Sequence, residues 1–210
     1  MDYLKYIDYE FLQDDSFLKV TTDTVCLGMF LDKLTNKTVL DIGTNTGSLL
    51  LYAHYHKAKT LIGVDIHKDA LKLAEKNLSK YTENFKLYCQ KVQKLEINPV
   101  DVIICNPPFF ETGKEEKKNK YLQEALFDKN LSLEDLFKSF KKLLKLNGEI
   151  YLIYKADRFA QVFEKCKEYN FKIMKLQFIY DKNTEFATRC MLKLKVGKGN
   201  KFNILKPVIL

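Results

Sequence analysis

From residue 38 to residue 196, short β-rich runs alternate with stretches whose apolar residues return at helical spacing. "KTVLDIG" (37–43) reads as a strand ending at a glycine turn, and "TGSLLLYAHYH" (46–56) as a helix. "TLIGVDI" (60–66) is a second strand, followed by "HKDALKLAEKNLSKY", with apolar positions 71, 74 and 78 on one helical face. "FKLYCQ" and "DVIICN" are the third and fourth strands. "LSLEDLFKSFKKLLKLNG" (131–148) predicts a helix that opens on a Ser132 cap and closes on Asn147-Gly148. "EIYLIYK", the helix "DRFAQVFEKCKEYN", "FKIMKLQFIY" and "FATRCMLKLKV" complete the series.

Strands that alternate with helices form a mostly parallel sheet with helices on both faces. No helix separates the last two strands, so they should pair antiparallel at one end of a seven-stranded sheet. The expected organisation is one α/β domain over 1–210, with a leader and helix over 1–36 and a mobile loop at "TGKEEKKNK" (112–120).

Composition narrows the functional classes. No run approaches eighteen apolar residues, and the opening fifteen residues carry five acids against one lysine, which argues against a signal peptide or a membrane span. Five scattered cysteines with no C-x-x-C pair suggest reduced thiols in a cytoplasmic protein without metal. The net charge of +8 rests on 33 lysines and two arginines. An AT-rich coding bias produces such a surface, and so does a nucleic-acid partner. The distribution favours the partner: residues 1–16 are net −4, and Lys182 to the end is net +6. Lys193, Lys195, Lys198 and Lys201 are therefore candidate RNA-phosphate contacts.

Candidate chemistry gathers at strand ends, where such sheets bind ligands. "LDIGTNTG" puts Asp41 before Gly43, Asn45 and Gly47. A dinucleotide loop wraps a pyrophosphate, which an adjacent acid would repel. An acid suits an ammonium instead, and the amides opening the next helix suit a carboxylate. S-adenosylmethionine carries both groups. Asp65, 24 residues after Asp41, stands where a carboxylate accepts two ribose hydroxyls. Asn45 replaces a glycine but tolerates positive φ. The third strand offers Gln90 where an acid often reads adenine.

The fourth strand stops on Asn106-Pro107-Pro108, followed by Phe109-Phe110. A residue before proline is held extended, and proline fixes φ and donates no hydrogen bond. The corner therefore presents two acceptors, the Asn106 amide oxygen and the Pro107 carbonyl. An exocyclic amine needs two acceptors to localise its lone pair and carry developing positive charge. Phe109 supplies a face for a planar base, worth roughly 1–3 kcal/mol, which helps to flip the base outward.

With these motifs the chain resembles the class I methyltransferases that carry N-P-P-[FY], and most closely the bacterial tRNA1(Val) adenine-N6 methyltransferases. The resemblance covers nearly the whole length, including the leader "LQDDSFLKVTTDTVCLGMFL", "KADRF" around Arg158 and the ending "ILKPVIL". It implies a Rossmann-like fold, S-adenosylmethionine as cofactor, and methylation of the adenosine 3′ to the anticodon (position 37). It also implies a tRNA partner, and the expected state is a monomer. Gln13, Phe17, Thr22 and Asp23 would then fall near the cofactor, with Thr22 or Asp23 over its methionine end. Asp41, Gly43, Asn45, Gly47, Asp65, Gln90 and Asn106 would line the cofactor site, and Asn106, Pro107 and Phe109 the target site. "EALFD" departs from an Ala-Arg-His-like run that often follows the motif. The motif alone also fits ribosomal guanine-N2 methyltransferases. Asn45 and the missing third-strand acid leave a non-catalytic RNA-binding relative as a further reading.

Overall fold

The structure, a computed structural model, describes residues 2–14, 17, 19–107, 131–197 and 201–210. A leader hairpin pairs β1 (Asp2–Tyr3) with β2 (Glu10–Phe11) and leads to helix α1 (Thr22–Phe30). Then come β3 (Thr38–Ile42), α2 (Ser48–Tyr55), β4 (Thr60–Asp65), α3 (Lys68–Ser79), β5 (Phe85–Cys89) and β6 (Val100–Cys105). Beyond the undescribed segment follow α4 (Leu133–Leu143), β7 (Leu144–Lys155), α5 (Phe159–Glu168), β8 (Phe171–Tyr180) and β9 (Arg189–Val196). Two short strands, β10 (Asn203–Ile204) and β11 (Val208–Ile209), end the chain.

The sheet order is β10-β8-β9-β7-β6-β3-β4-β5, with β11 also paired to β8. Only β9 runs against the others, antiparallel to both β7 and β8. The seven strands read from the pattern are all present. The sheet nonetheless has nine strands among the described residues, not seven, because the tail returns to pair with the outer edge of β8. That edge would otherwise expose unpaired backbone groups. Pro207, which has no N–H, falls between the two pieces of the strap. Each piece is only two residues long, too short for alternation to signal.

One expected boundary moves. The helix predicted over 131–148 keeps its Ser132 cap, whose hydroxyl accepts the Asp135 N–H at 3.1 Å, but it stops at Leu143. Leu144 is already extended and pairs with Val100 of β6. Ladder bonding and burial of Leu144 override the helical period of "LLKLNG". Gly148 then lies so close to Leu144 that an added Cβ would stand 2.5 Å from its Cγ.

Alternation along the strands sends successive side chains to two cores. Leu40, Ile62, Ile103 and Ile150 meet α4 and α5 through Phe137, Phe140 and Val162. Val39, Leu61, Val102 and Tyr151 meet α1, α2 and the leader through Leu27, Tyr52 and Phe11. Gly28 lets α1 lie directly on the Tyr52 ring, since a Cβ there would come within 2.3 Å of it. The first turn of α1 thereby reaches the carboxyl ends of the central strands.

Candidate active site

The site forms where β3, β4 and β6 end side by side. Asp41 pairs with Gly63 of β4 and Ile104 of β6, and Ile42 with Cys105. Asn106, the next residue on β6, thus stands one strand from the glycine turn, at a spacing of about 4.8 Å.

The turn has the conformation its sequence requires. Gly43, Asn45 and Gly47 take φ of 74°, 48° and 86°, so asparagine serves at the middle position. Gly47 opens α2 and packs on Ala74 of α3, where a Cβ would meet the Ala74 Cβ at 3.3 Å. The Gly43 and Thr44 amides bond to the Val64 carbonyl at 2.9 and 3.1 Å, locking the turn onto β4.

Asp41 is 1% exposed, and neither carboxylate oxygen has a hydrogen-bond partner within the protein. Burial pushes its pKa up to about 7; the Thr44 hydroxyl opposes the shift and the Asp65 charge adds to it. Thr44 is close enough to oppose the shift but too poorly aligned to satisfy the carboxylate, since its own oxygen also lacks a partner. Such a carboxyl fits a cationic ligand group, because burying it otherwise costs several kcal/mol. Asp65 is placed differently. Its Oδ2 accepts the Asn45 N–H at 2.8 Å, and its Oδ1 meets the His67 N–H and Nδ1, both at 3.0 Å. A carboxylate has about four lone-pair sites. Both hydroxyls of a ribose fit only if the His67 ring yields its place. Gln90 is half-buried, with its backbone N–H on the Asp65 carbonyl at 2.9 Å.

The leader arrives over this turn. Gln13 accepts the Val20 N–H at 2.8 Å. Thr22 is exposed at the start of α1. Asp23 is turned toward Arg189, whose Nε lies 2.9 Å from Oδ1, a charge contact not aligned as a hydrogen bond. Burial raises the Asp23 pKa, Arg189 lowers it and Asp181 raises it, with a net rise. Arg189 also holds Asp181 at 2.5 Å. Asn106 is half-buried and donates from Nδ2 to the Thr24 hydroxyl at 3.4 Å; Pro107 beside it is buried. Phe109, Lys198 and the 112–120 segment lie outside the described residues.

The lysine track divides. Lys193 is bonded to Asp32 at 2.7 Å and Glu149 at 2.8 Å, with its side chain 12% exposed. Its charge is thus already paired with two carboxylates, and its Nζ lies 5.4 Å from the centre of the Tyr151 ring. Lys195 lies at the level of Glu149 and Val102, four residues below Asn106, about 13 Å at the usual strand rise. Because β9 runs antiparallel, the chain descends from the cleft as it passes these lysines. Lys201 is exposed near the foot of the strap. Charge along the sequence does not reveal this reversal.

Three residues of the site have no counterpart in the sequence reading: Thr24, Arg189 and Asn77. Asn77 carried a readable signal, since it shares the buried face of α3 with Ala74 and Leu78. Among the described residues no group of three or more His, Cys, Asp or Glu could hold a metal ion, and no helix is long and apolar enough to cross a membrane.

The model of a family described as "Methyltransferase domain" matches residues 33–204. A tRNA1(Val) (adenine(37)-N6)-methyltransferase of Cytophaga hutchinsonii is 29% identical over 189 residues, covering 87% of this chain and 79% of the relative. One from Dyadobacter fermentans is 27% identical over 212 residues, covering 98% and 87%. Among solved structures, a putative RNA methyltransferase from Pyrococcus horikoshii aligns with a TM-score of 0.61 at 23% identity, over 82% of this chain and 83% of that one. Magnesium protoporphyrin IX methyltransferase from Synechocystis with bound SAM aligns at 0.57 and 17%, over 83% and 76%. At these identities the two structures share its fold.

Proposed function

The chain belongs to the methyltransferase-domain family, and we propose that it methylates N6 of an adenosine in tRNA, the one at position 37 beside the anticodon of tRNA1(Val). The observation that carries this reading is the placement of Asn106 one strand from the Asp41–Gly47 turn. The names of the relatives supply the substrate. Positive φ at Asn45 keeps the turn intact, which favours an enzyme over a relict.

S-adenosylmethionine, when bound, would supply an electrophilic methyl group whose bond to sulfur breaks on transfer, the electron pair staying on sulfur to leave a neutral thioether. Asp41 would take its ammonium, the amides opening α2 its carboxylate, Asp65 its ribose, and Gln90 with nearby backbone its adenine. The leader, through Thr22 and Asp23, would cover the methionine end. Asn106 Oδ1 and the Pro107 carbonyl accept the two N–H bonds of the target amine. They aim its lone pair at the methyl group and stabilise the positive charge that forms on nitrogen. The nitrogen then releases a proton to solvent, so no carboxylate base is needed. Phe109 would stack on the flipped adenine.

We place the anticodon loop that reaches Asn106 beside residues 181–188, which join β8 to β9 at the same end of the sheet. Lys182 is exposed there and Phe186 is 78% exposed, one for a phosphate and one for an unpaired base. We place the protein in the cytoplasm, consistent with five free cysteines, and take it to act as a monomer. The test is Asn106→Ala in single turnover: the rate should fall about 10²-fold or more while cofactor affinity changes little. A near wild-type rate would remove Asn106 from the chemistry.

A further inference from the structure

We infer that Thr24 is a positioning residue for this reaction: its hydroxyl turns the Asn106 side-chain amide so that oxygen, not nitrogen, faces the target amine. The inference rests on the role proposed for Asn106.

The two ends of an asparagine amide have almost the same shape but opposite hydrogen-bonding character. If the amide turned over, an NH2 group would oppose the amine it must hold, and the acceptor corner would lose one of its two acceptors. Proline at 107 restricts the backbone of Asn106 but leaves this last torsion free. Something outside β6 has to choose.

Thr24 is built to make that choice. It reaches Asn106 across 82 residues of chain, and the residue is only 7% exposed. Its hydroxyl also lies 3.3 Å from the Thr21 hydroxyl, and the Thr21 oxygen accepts the Thr24 N–H at 3.4 Å as the cap of α1. Either hydroxyl of the Thr21–Thr24 pair can donate; with Asn106 Nδ2 donating to Thr24, the inferred order has Thr24 donate in turn to Thr21. That order leaves the Thr24 oxygen as the acceptor that Asn106 nitrogen needs. These bonds are long, so each holds weakly, but the frame behind them is rigid. Arg189 holds Asp23 next to Thr24 and bridges to Asp181 beyond β8. Further along the helix, Gly28 sits on the Tyr52 ring and its carbonyl meets His56 Nε2 at 3.1 Å. The first turn of α1 cannot follow the amide, so the amide follows it.

Two hydroxyl-free variants of different size, Thr24→Val and Thr24→Ala, are compared with Thr24→Ser. Thermal unfolding, calorimetry with S-adenosylmethionine, and kcat and KM on tRNA transcript are measured for each. Both hydroxyl-free variants should lose about 10-fold in kcat, with tRNA KM and cofactor Kd within about 2-fold of wild type. Thr24→Ser should restore most of the rate. In an Asn106→Ala background Thr24→Val should cost nothing further, because the residue through which it acts is gone. Unchanged kcat in either hydroxyl-free variant overturns the inference. So does an equal loss in Thr24→Ser, or an undiminished cost in the Asn106→Ala background, since Thr24 would then act by packing. If Asn106→Ala alone keeps the wild-type rate, the reading of Asn106 itself fails, which is a separate and visible result.

Discussion

Asn77 ties the leader to the glycine turn: its side-chain amide donates to the Thr46 carbonyl at 3.0 Å. The same amide donates to the Leu12 carbonyl at 3.1 Å and accepts the Leu12 N–H at 2.8 Å. The side chain is fully buried on α3, so one residue satisfies three backbone groups from two segments far apart in sequence.

Replacing Asn77 by alanine leaves those groups unpaired. Unfolding stability should fall by about 2–3 kcal/mol, and the leader should be cut more readily by protease in the free protein. Urea denaturation and timed proteolysis measure both. A loss under about 0.5 kcal/mol would mean that the leader is held by the hairpin's apolar contacts alone.

Asp41 makes the free protein sensitive to pH near neutrality. Burial raises its pKa to about 7 in the fold against an ordinary 3.8. The folded state therefore binds this proton more tightly than the unfolded state. The stabilisation is fully present below the ordinary value and is lost as pH rises through about 7. The fall is at most about 4 kcal/mol, since each pK unit is worth about 1.4 kcal/mol. Urea titrations between pH 4 and 9 should show this fall in wild type and not in Asp41→Asn. The variant should also bind S-adenosylmethionine much more weakly. Parallel pH profiles would show that Asp41 is neutralised by another group.

Lys193 should prove structural. It and Lys175 hold Asp32: burial pushes that carboxyl's pKa up, but the hydrogen bonds and charges of the two lysines together bring it down to about 2. Lys193→Gln should lower stability by about 1–2 kcal/mol, given that Asp32 is partly exposed. It should leave tRNA affinity and its salt dependence unchanged. Lys182→Gln, between β8 and β9, should reduce the salt slope by about one. Filter binding at two salt concentrations separates the two outcomes. A reduced slope for Lys193→Gln would return the RNA to β9.

The strands that build the cleft were legible because each is buried on both faces and bounded by glycine, proline or an acid. Asp41, Asp65 and Asn106 stood out as polar residues ending apolar runs. The end of α4 was not legible, since "LLKLNG" continues the helical period and only pairing with β6 makes it a strand. The leader hairpin and the strap were too short to carry a pattern. Thr24 looks like one more residue of a capped helix start, and only the tertiary fold brings it to Asn106. For the same reason charge along a sequence says nothing about which end of a strand faces the cleft.

The central claim is methyl transfer to adenine N6 in tRNA. Unmodified tRNA1(Val) transcript is incubated with the protein and S-adenosylmethionine carrying an isotope-labelled methyl group, then digested, and its nucleosides are weighed. A matched transcript carries guanosine in place of the adenosine at position 37. The account predicts labelled N6-methyladenosine from the first transcript and no label from the second. Label on guanine N2, or no transfer to either transcript, would contradict it.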